Sequence, residues 1–94
     1  MQIRWLEEAV LDLQKLHHYI QKDKPQAAEK TAKLIYETVD LLAQQPAMGR
    51  AGRVPHTREL ILGGTPYIIP YRVKGREIEI LRVLHASMQW PEVL

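Results

Sequence analysis

Three arginines and one histidine in the second half of the chain are the residues best suited to chemistry. Arg58, Arg72 and Arg82 fall one on each of three successive β-type segments, and His85 ends the third. Arginine stays charged and presents a rigid fork of donors that matches phosphate or carboxylate. Histidine exchanges a proton near neutral pH and serves as general acid or base. On paired strands the four side chains could converge on a phosphodiester. The arginines would then stabilise the charge of a pentavalent phosphate, and His85 would move the proton. A plainer alternative stands beside it. The arginines pair across strands with Glu59, Glu77 or Glu79, and His85 is a hydrogen-bonded residue closing the end of the sheet. Trp5, Trp90, Tyr67 and Tyr71 offer surfaces on which bases stack. In a protein with no Phe they also have packing to do, and packing is the expectation for Trp5 and Tyr67.

Other chemistries are excluded or unsupported. The chain has no cysteine, which removes disulfides and thiolate metal sites. His17 and His18 are adjacent on a helical segment and cannot share a face, so no metal site is expected. GRAGR at 49–53 lacks the Lys-Ser/Thr pair of a phosphate-binding loop and does not sit between a strand and a helix. No nucleophile triad or paired-carboxylate motif is visible, and no cofactor is expected. No apolar run approaches the roughly 20 residues that span a bilayer, and MQIRWLEEAV carries acids where a signal peptide needs an apolar stretch. The expectation is therefore no membrane partner. A net charge of +2 is too small to imply a nucleic-acid partner by itself. Its distribution is uneven: residues 50–82 hold six arginines and Lys74 against Glu59, Glu77 and Glu79.

The elements that must position these residues follow from periodicity. The 94 residues fit one domain, 1–94, with an ordinary globular balance of 46% hydrophobic and 26% charged residues. Residues 2–5 read as a short strand. Leu6, Val10, Leu13, Leu16 or His17, and Ile20 recur at helical spacing over 6–21, with Glu7, Glu8 and Asp12 where negative charge suits the helix dipole. Lys22-Asp23-Lys24-Pro25 interrupts the pattern, and Pro25 is tolerated in the first turn of a second helix. That helix runs over 26–45 with Ala28, Thr31 or Ala32, Ile35, Val39 and Leu42 on its buried face. The short link makes the two an antiparallel hairpin. PAMGRAGRVPH reads as a loop. TRELIL, PYIIPYRV and EIEILRVLH then read as three strands, joined at Gly63-Gly64-Thr65 and Lys74-Gly75-Arg76. The third is the most apolar and so central. Pro70 predicts an edge position or a bulge in the middle strand. The fold class is α+β: an N-terminal strand, then a helix hairpin lying on an antiparallel sheet completed by three C-terminal strands.

GRAGRVPHTREL, GTPYIIPYRV and IEILRVLHASMQW, behind a hairpin that opens with EEAVLDL, resemble the RelE/ParE superfamily of toxins from bacterial toxin–antitoxin pairs. The resemblance covers nearly the whole chain. It implies a small cytoplasmic toxin that inhibits growth and is neutralised by a cognate antitoxin, which binds with a helix and an extended segment. RelE-like members cleave messenger RNA on the ribosome, whereas ParE-like members poison DNA gyrase without nuclease chemistry of their own. For a ribonuclease, the resemblance implies catalytic roles for Arg58, Arg72, Arg82 and His85. For a gyrase poison, Arg50, Arg53, Met88 and Trp90 become residues that bind target or antitoxin, and the chain is not an enzyme.

Two departures tilt the expectation toward gyrase. The loop 46–57 has no lysine and no tyrosine follows the last strand, although RelE-type sites commonly use both. The H-G-R-R-x-W ending frequent in the superfamily is here His85-Ala86-Ser87-Met88-Gln89-Trp90, two arginines fewer, and RVLHASM matches the ParE-like ending. A messenger endoribonuclease is the alternative, and a toxin-like binding module without toxicity is a third.

Overall fold

The structure is a computed structural model and describes residues 1–94. β1 (Gln2–Trp5) leads through Leu6 into α1 (Glu7–Asp23), and Lys24 alone separates α1 from α2 (Pro25–Asp40). A short 3-10 turn, Leu41–Ala43, ends the hairpin. The chain then forms β2 (Arg50–Ala51), β3 (Arg58–Ile61), β4 (Tyr67–Lys74), β5 (Glu77–Ile80) and β6 (Leu84–His85).

The helices form where the periodicity places them, and Pro25 occupies the first turn of α2 as expected. The hairpin is antiparallel: His17 Nε2 meets Glu29 Oε1 at 3.1 Å, and Val10 and Leu13 line a groove with Ala32 and Tyr36. α2 buries Ala28, Ile35 and Val39, with Leu42 of the following turn, as its spacing predicts. α1 is rotated from expectation. Ala9 and Leu13 are its buried residues, while Val10 is 38% exposed. The apolar stripe of α1 is shared between two neighbours, so Val10 faces the groove beside α2 rather than the sheet.

The sheet runs in the order β1-β5-β4-β3-β2, with β6 also paired to β4. β1 joins beside β5, but parallel, with Ile3 opposite Ile78 and Trp5 opposite Ile80. The sheet is therefore mixed rather than wholly antiparallel. The helix hairpin and three strands intervene between β1 and β5, so no tight turn forces the two to run in opposite directions. β2 is a second correction. Arg50 and Ala51 lie in the stretch read as loop, yet they pair with Glu59 and Arg58. Two residues are too few to show an alternating pattern. The β4–β5 turn does follow its sequence signal. Lys74 pairs with Glu77, and Gly75 takes a φ of 63° at the first central position of a two-residue hairpin.

The expected third strand is broken in two, and Pro70 explains why. β4 lies between β3 and β5, so Pro70 is not at an edge. The carbonyl of Pro70 accepts N–H groups from both Leu81 (2.9 Å) and Arg82 (3.5 Å). In a strand a residue's N–H and C=O point to the same side, so the missing N–H also faces that neighbour. Tyr71 pairs with Ile80 and Ile68 with Leu84, which sets two residues of β4 against three of the opposite strand. That is a bulge. It sits in the strand facing Pro70, where the ladder lacks a donor.

Register divides the sheet into two unlike faces, because opposed residues share a face and neighbours alternate. Ile3, Trp5, Ile78, Ile80, Tyr71, Ile69 and Leu60 face the helices and join Ala9, Leu13, Ile35, Val39 and Leu42 in one core. Full burial of each large aliphatic contributes roughly 1.5–3 kcal/mol. Arg4, Glu79, Arg72, Pro70, Glu59 and Arg50 occupy the opposite face. No helix covers that face. The C-terminal segment returns along it, so that Trp90 lies over the Arg53 guanidinium and Val93 and Leu94 line a cavity with Leu81 and Arg72.

Candidate functional site

The helix-free face is built around two buried glutamates. Glu59 is 2% exposed and receives five hydrogen bonds: two from the Arg50 guanidinium, at 3.2 and 3.0 Å, and three from Arg53. The Arg53 backbone N–H donates at 2.9 Å, which fixes the loop after β2 as well as the side chain. Burial pushes the Glu59 carboxyl up. The Arg53 N–H and the two guanidiniums outweigh that and hold it below the usual carboxylate range. Glu79 is 4% exposed and sits between Arg72, whose Nε donates to Oε1, and Arg4, whose Nη1 lies 3.6 Å from Oε2. The Arg72 bond is the main reason its carboxyl is held low, against the opposing push of burial. Both acids spend their charge orienting arginines that reach into solvent, with side chains 42–59% exposed.

The residues singled out from sequence fall into three separate places. Arg50, Arg53 and Trp90 form the first, through Glu59 and the stack of Arg53 on Trp90, 3.5 Å from guanidinium carbon to ring centroid. Trp90 Nε1 is buried there without a hydrogen-bond partner. Arg58 and Arg72 come second: both line one open cavity with His56 and Thr57, but register sets Arg58 on the helix side with Tyr71 and Arg72 on the opposite face with Glu79. Arg58 is held by backbone carbonyls instead of a carboxylate, donating to Gly49 O at 2.8 Å and Ala47 O at 3.4 Å. Those carbonyls are placed by Tyr71, whose hydroxyl donates to Pro46 O and accepts the Gly49 N–H, each at 2.8 Å. Position 49 must be glycine for this approach, since a Cβ there would lie 2.6 Å from the Tyr71 ring. His85 and Met88 form the third, in a cavity beside α1 that Asp12 and Tyr67 also line.

Arg82 belongs to that third place only through its partner. Its Nε and Nη2 donate to both oxygens of Asp12, at 2.7 and 3.0 Å, and Asp12 also accepts the Val83 N–H at 3.0 Å. The bond to Asp12 raises the guanidinium's affinity for its proton. This half-buried fork pins the bulge to α1. His85 stands edge-on to Tyr67, with ring centroids 5.6 Å apart, and its Nδ1 accepts from the Ser87 N–H and meets the Ser87 hydroxyl at 2.7 Å. The three arginines and His85 therefore do not assemble into one site. Arg72 pairs with Glu79 across strands, as the plainer reading expected, whereas Arg58 and Arg82 find partners outside the acids considered.

Sequence reasoning missed three contributors. Asp12 was read only as complementing the helix dipole, and its partner lies 70 positions away. Tyr71 was read as stacking or packing, although its hydroxyl shapes the loop that holds Arg58. His56 has no role in the reading from sequence. The signal for it was the PHT step after Val54, where a turn is expected.

With this geometry in view, comparison with known proteins is specific. Residues 3–90 match the family described as "ParE toxin of type II toxin-antitoxin system, parDE". The protein Y4kP of Sinorhizobium fredii (strain NBRC 101917 / NGR234) is 51% identical over 92 residues, covering 98% of this chain and 95% of that protein. Toxin RelE1 of Caulobacter vibrioides is 30% identical over 80 residues, covering 83% and 85%. A solved chain titled "Chromosomal ParDE TA system from P. aeruginosa" superposes with a TM-score of 0.82 at 36% identity, covering 93% of this chain and 97% of its own. These matches make the chain, two helices on a mixed sheet, a toxin of the RelE/ParE superfamily. Within it, the chain belongs to the ParE toxin family of type II toxin–antitoxin systems.

Proposed function

We propose that this toxin arrests growth by acting on DNA gyrase in the cytoplasm and is held in check by a cognate antitoxin. The observation that carries the choice of target is the separation of the candidate catalytic groups. A ribonuclease built on Arg58, Arg72, Arg82 and His85 needs them within reach of one phosphodiester. Here each arginine has a different anchor, and Arg82 is paired through Nε and Nη2 with Asp12. The arginines on the helix-free face then act as binding residues, with Arg50, Arg53 and Trp90 at one end and Met88 beyond the bulge. The family match over 3–90 is to ParE toxins, the branch that the resemblance associates with gyrase.

The antitoxin has a groove to enter. Val10, Leu13, Ala32 and Tyr36 line a cavity of about 310 Å³ along the hairpin, and Tyr36 is 49% exposed. An amphipathic helix laid there would cover apolar surface. Supercoiling by purified gyrase decides the target. The expected outcome is loss of supercoiling, with cleaved DNA held on the enzyme, and recovery on adding antitoxin. Unaffected gyrase together with growth arrest would transfer the assignment to messenger cleavage, and no arrest at all to a binding module without toxicity.

A further inference from the structure

We infer that the helix-free face of the sheet binds an acidic segment of a protein partner, whose carboxylates seat on two arginine pairs that each share one buried glutamate. This rests on the reading of these arginines as binding residues and gives their partner a chemistry. Arg4 and Arg72 flank Glu79 in one row across β1, β5 and β4. Arg50 and Arg53 close on Glu59 from β2 and the loop after it. Each cluster therefore sets two guanidiniums against one carboxylate and carries a surplus positive charge.

The rest of the chain does not supply the missing acids. Glu77 shares the face but stands opposite Lys74 at the β4–β5 turn. Glu92, on the tail that crosses the face, is in no ion pair with either cluster. The acids of the clusters lie beneath and the arginines above, so an approaching partner meets the positive ends first. Donors remain for it. Arg50 and Arg53 bond through Nε and Nη2, leaving Nη1, and Arg72 bonds through Nε alone. A guanidinium fixed at one edge presents its other donors in a set direction, so little freedom is lost when a carboxylate arrives.

Spacing favours carboxylates over a nucleic-acid backbone. Glu79 aligns with Arg72 of β4 and Glu59 with Pro70, on the strands either side of β4. Strand separation and rise then put the two clusters about 12 Å apart. A duplex carries a charge about every 3.4 Å of axis on each strand, far denser than two isolated positive centres can match. Polypeptide already fits on this face. Trp90 stacks on Arg53, Val93 and Leu94 line a cavity with Leu81, and with the tail in place the four arginine side chains remain 42–59% exposed.

The test is a titration of the intact chain with a synthetic peptide carrying glutamates at positions i and i+4 in a Ser/Thr/Val background, a separation of about 13 Å when extended. Binding is followed by NMR of the arginine Nε–H groups. Shifts at Arg4, Arg50, Arg53 and Arg72 are expected, with binding weakened by salt and abolished when the peptide's glutamates are replaced by glutamine. Arg4→Gln and Arg50→Gln each remove the surplus charge of one cluster and leave its acid paired, with Arg72 or Arg53. Their Tm should hold while affinity falls about five-fold, the upper range for an exposed charge pair. Lys30→Gln removes the same charge from exposed α2, on the other side of the sheet, and should change affinity by less than about two-fold. An equal loss in Lys30→Gln, unchanged affinity in both arginine variants, or no shifts at the four arginines would overturn the inference. So would a short duplex DNA that shifts the same arginines at higher affinity and equal ionic strength, since the face would then be a phosphate site. The titration contains no gyrase, so its failure is distinct from a failure of the supercoiling assay.

Discussion

The two faces of one sheet are stabilised by opposite means. Toward the helices, Ile78, Ile80, Ile69 and Tyr71 are fully buried among aliphatics from α1 and α2. That stability comes from removing apolar surface from water and barely depends on pH or salt. Away from the helices, the buried side chains at the matching positions are glutamates, and arginines half in water hold them. Ion pairs of this kind contribute little net energy, because desolvation offsets attraction. What they contribute is direction. A charged group whose place is fixed by a buried partner is pre-organised for a ligand, which an aliphatic core cannot provide. The helix side makes the molecule stable, and the other side orients donors at modest energetic cost.

The largest effect should come from the helix side. Ile78→Ala empties a fully buried position in central β5, next to β1 and β4. A loss of roughly 3 kcal/mol is expected by chemical denaturation, the usual cost of such a cavity. That is a large share of the stability of a domain this size. A loss below about 1 kcal/mol would mean the helix side is not the stabilising one.

Glu59→Gln probes the other side and should cost less, about 2 kcal/mol. Losing a buried partner usually costs more, but Arg50 and Arg53 can return to water. The pH dependence has a definite sign. The Glu59 and Glu79 carboxyls are held below their ordinary value of 4.5 in the folded chain. Their contribution is therefore fully present above about pH 4.5 and is lost as pH falls through the lower, folded values. Thermal melts of the parent should lose stability across that acid window. Glu59→Gln should lose less there, while Ile78→Ala should run parallel to the parent. Parallel curves for all three would dissolve the distinction between the faces.

The contrast also explains what could be foreseen from sequence. The apolar face was legible because packing imposes a period: Ile35, Val39 and Leu42 recur at helical steps, and Ile78 and Ile80 alternate. The charged face needs register, which no single strand states. Arg72 meets Glu79 only once Lys74 is known to pair with Glu77, and Glu59 gathers Arg50 and Arg53 only if a two-residue β2 forms in an apparent loop. The bulge opposite Pro70 was half legible, since proline announces a missing donor but not which strand adapts to it. Asp12 with Arg82 carries no local signal, because it depends on a tertiary contact, and the Pro55 step announces a turn without stating that His56 takes its left-handed position.

The smallest effect should come from the tail that covers the charged face. Trp90→Ala removes the stack on Arg53, which contributes about 0.5–1 kcal/mol at a partly exposed site. It also removes a buried indole N–H that has no partner, and so removes a cost of similar size. The two terms oppose each other. The melting temperature should therefore shift by less than about 4 °C, the equivalent of under 1 kcal/mol in a domain of this length. Exposure should change more than stability. With the indole gone, Arg53 loses its cover but keeps three bonds to Glu59, so hydrogen exchange should quicken over residues 86–94 and hold at the Arg53 N–H. If exchange quickened equally at both, the tail would be holding the arginine cluster together, and the buried glutamate could not be credited with orienting it.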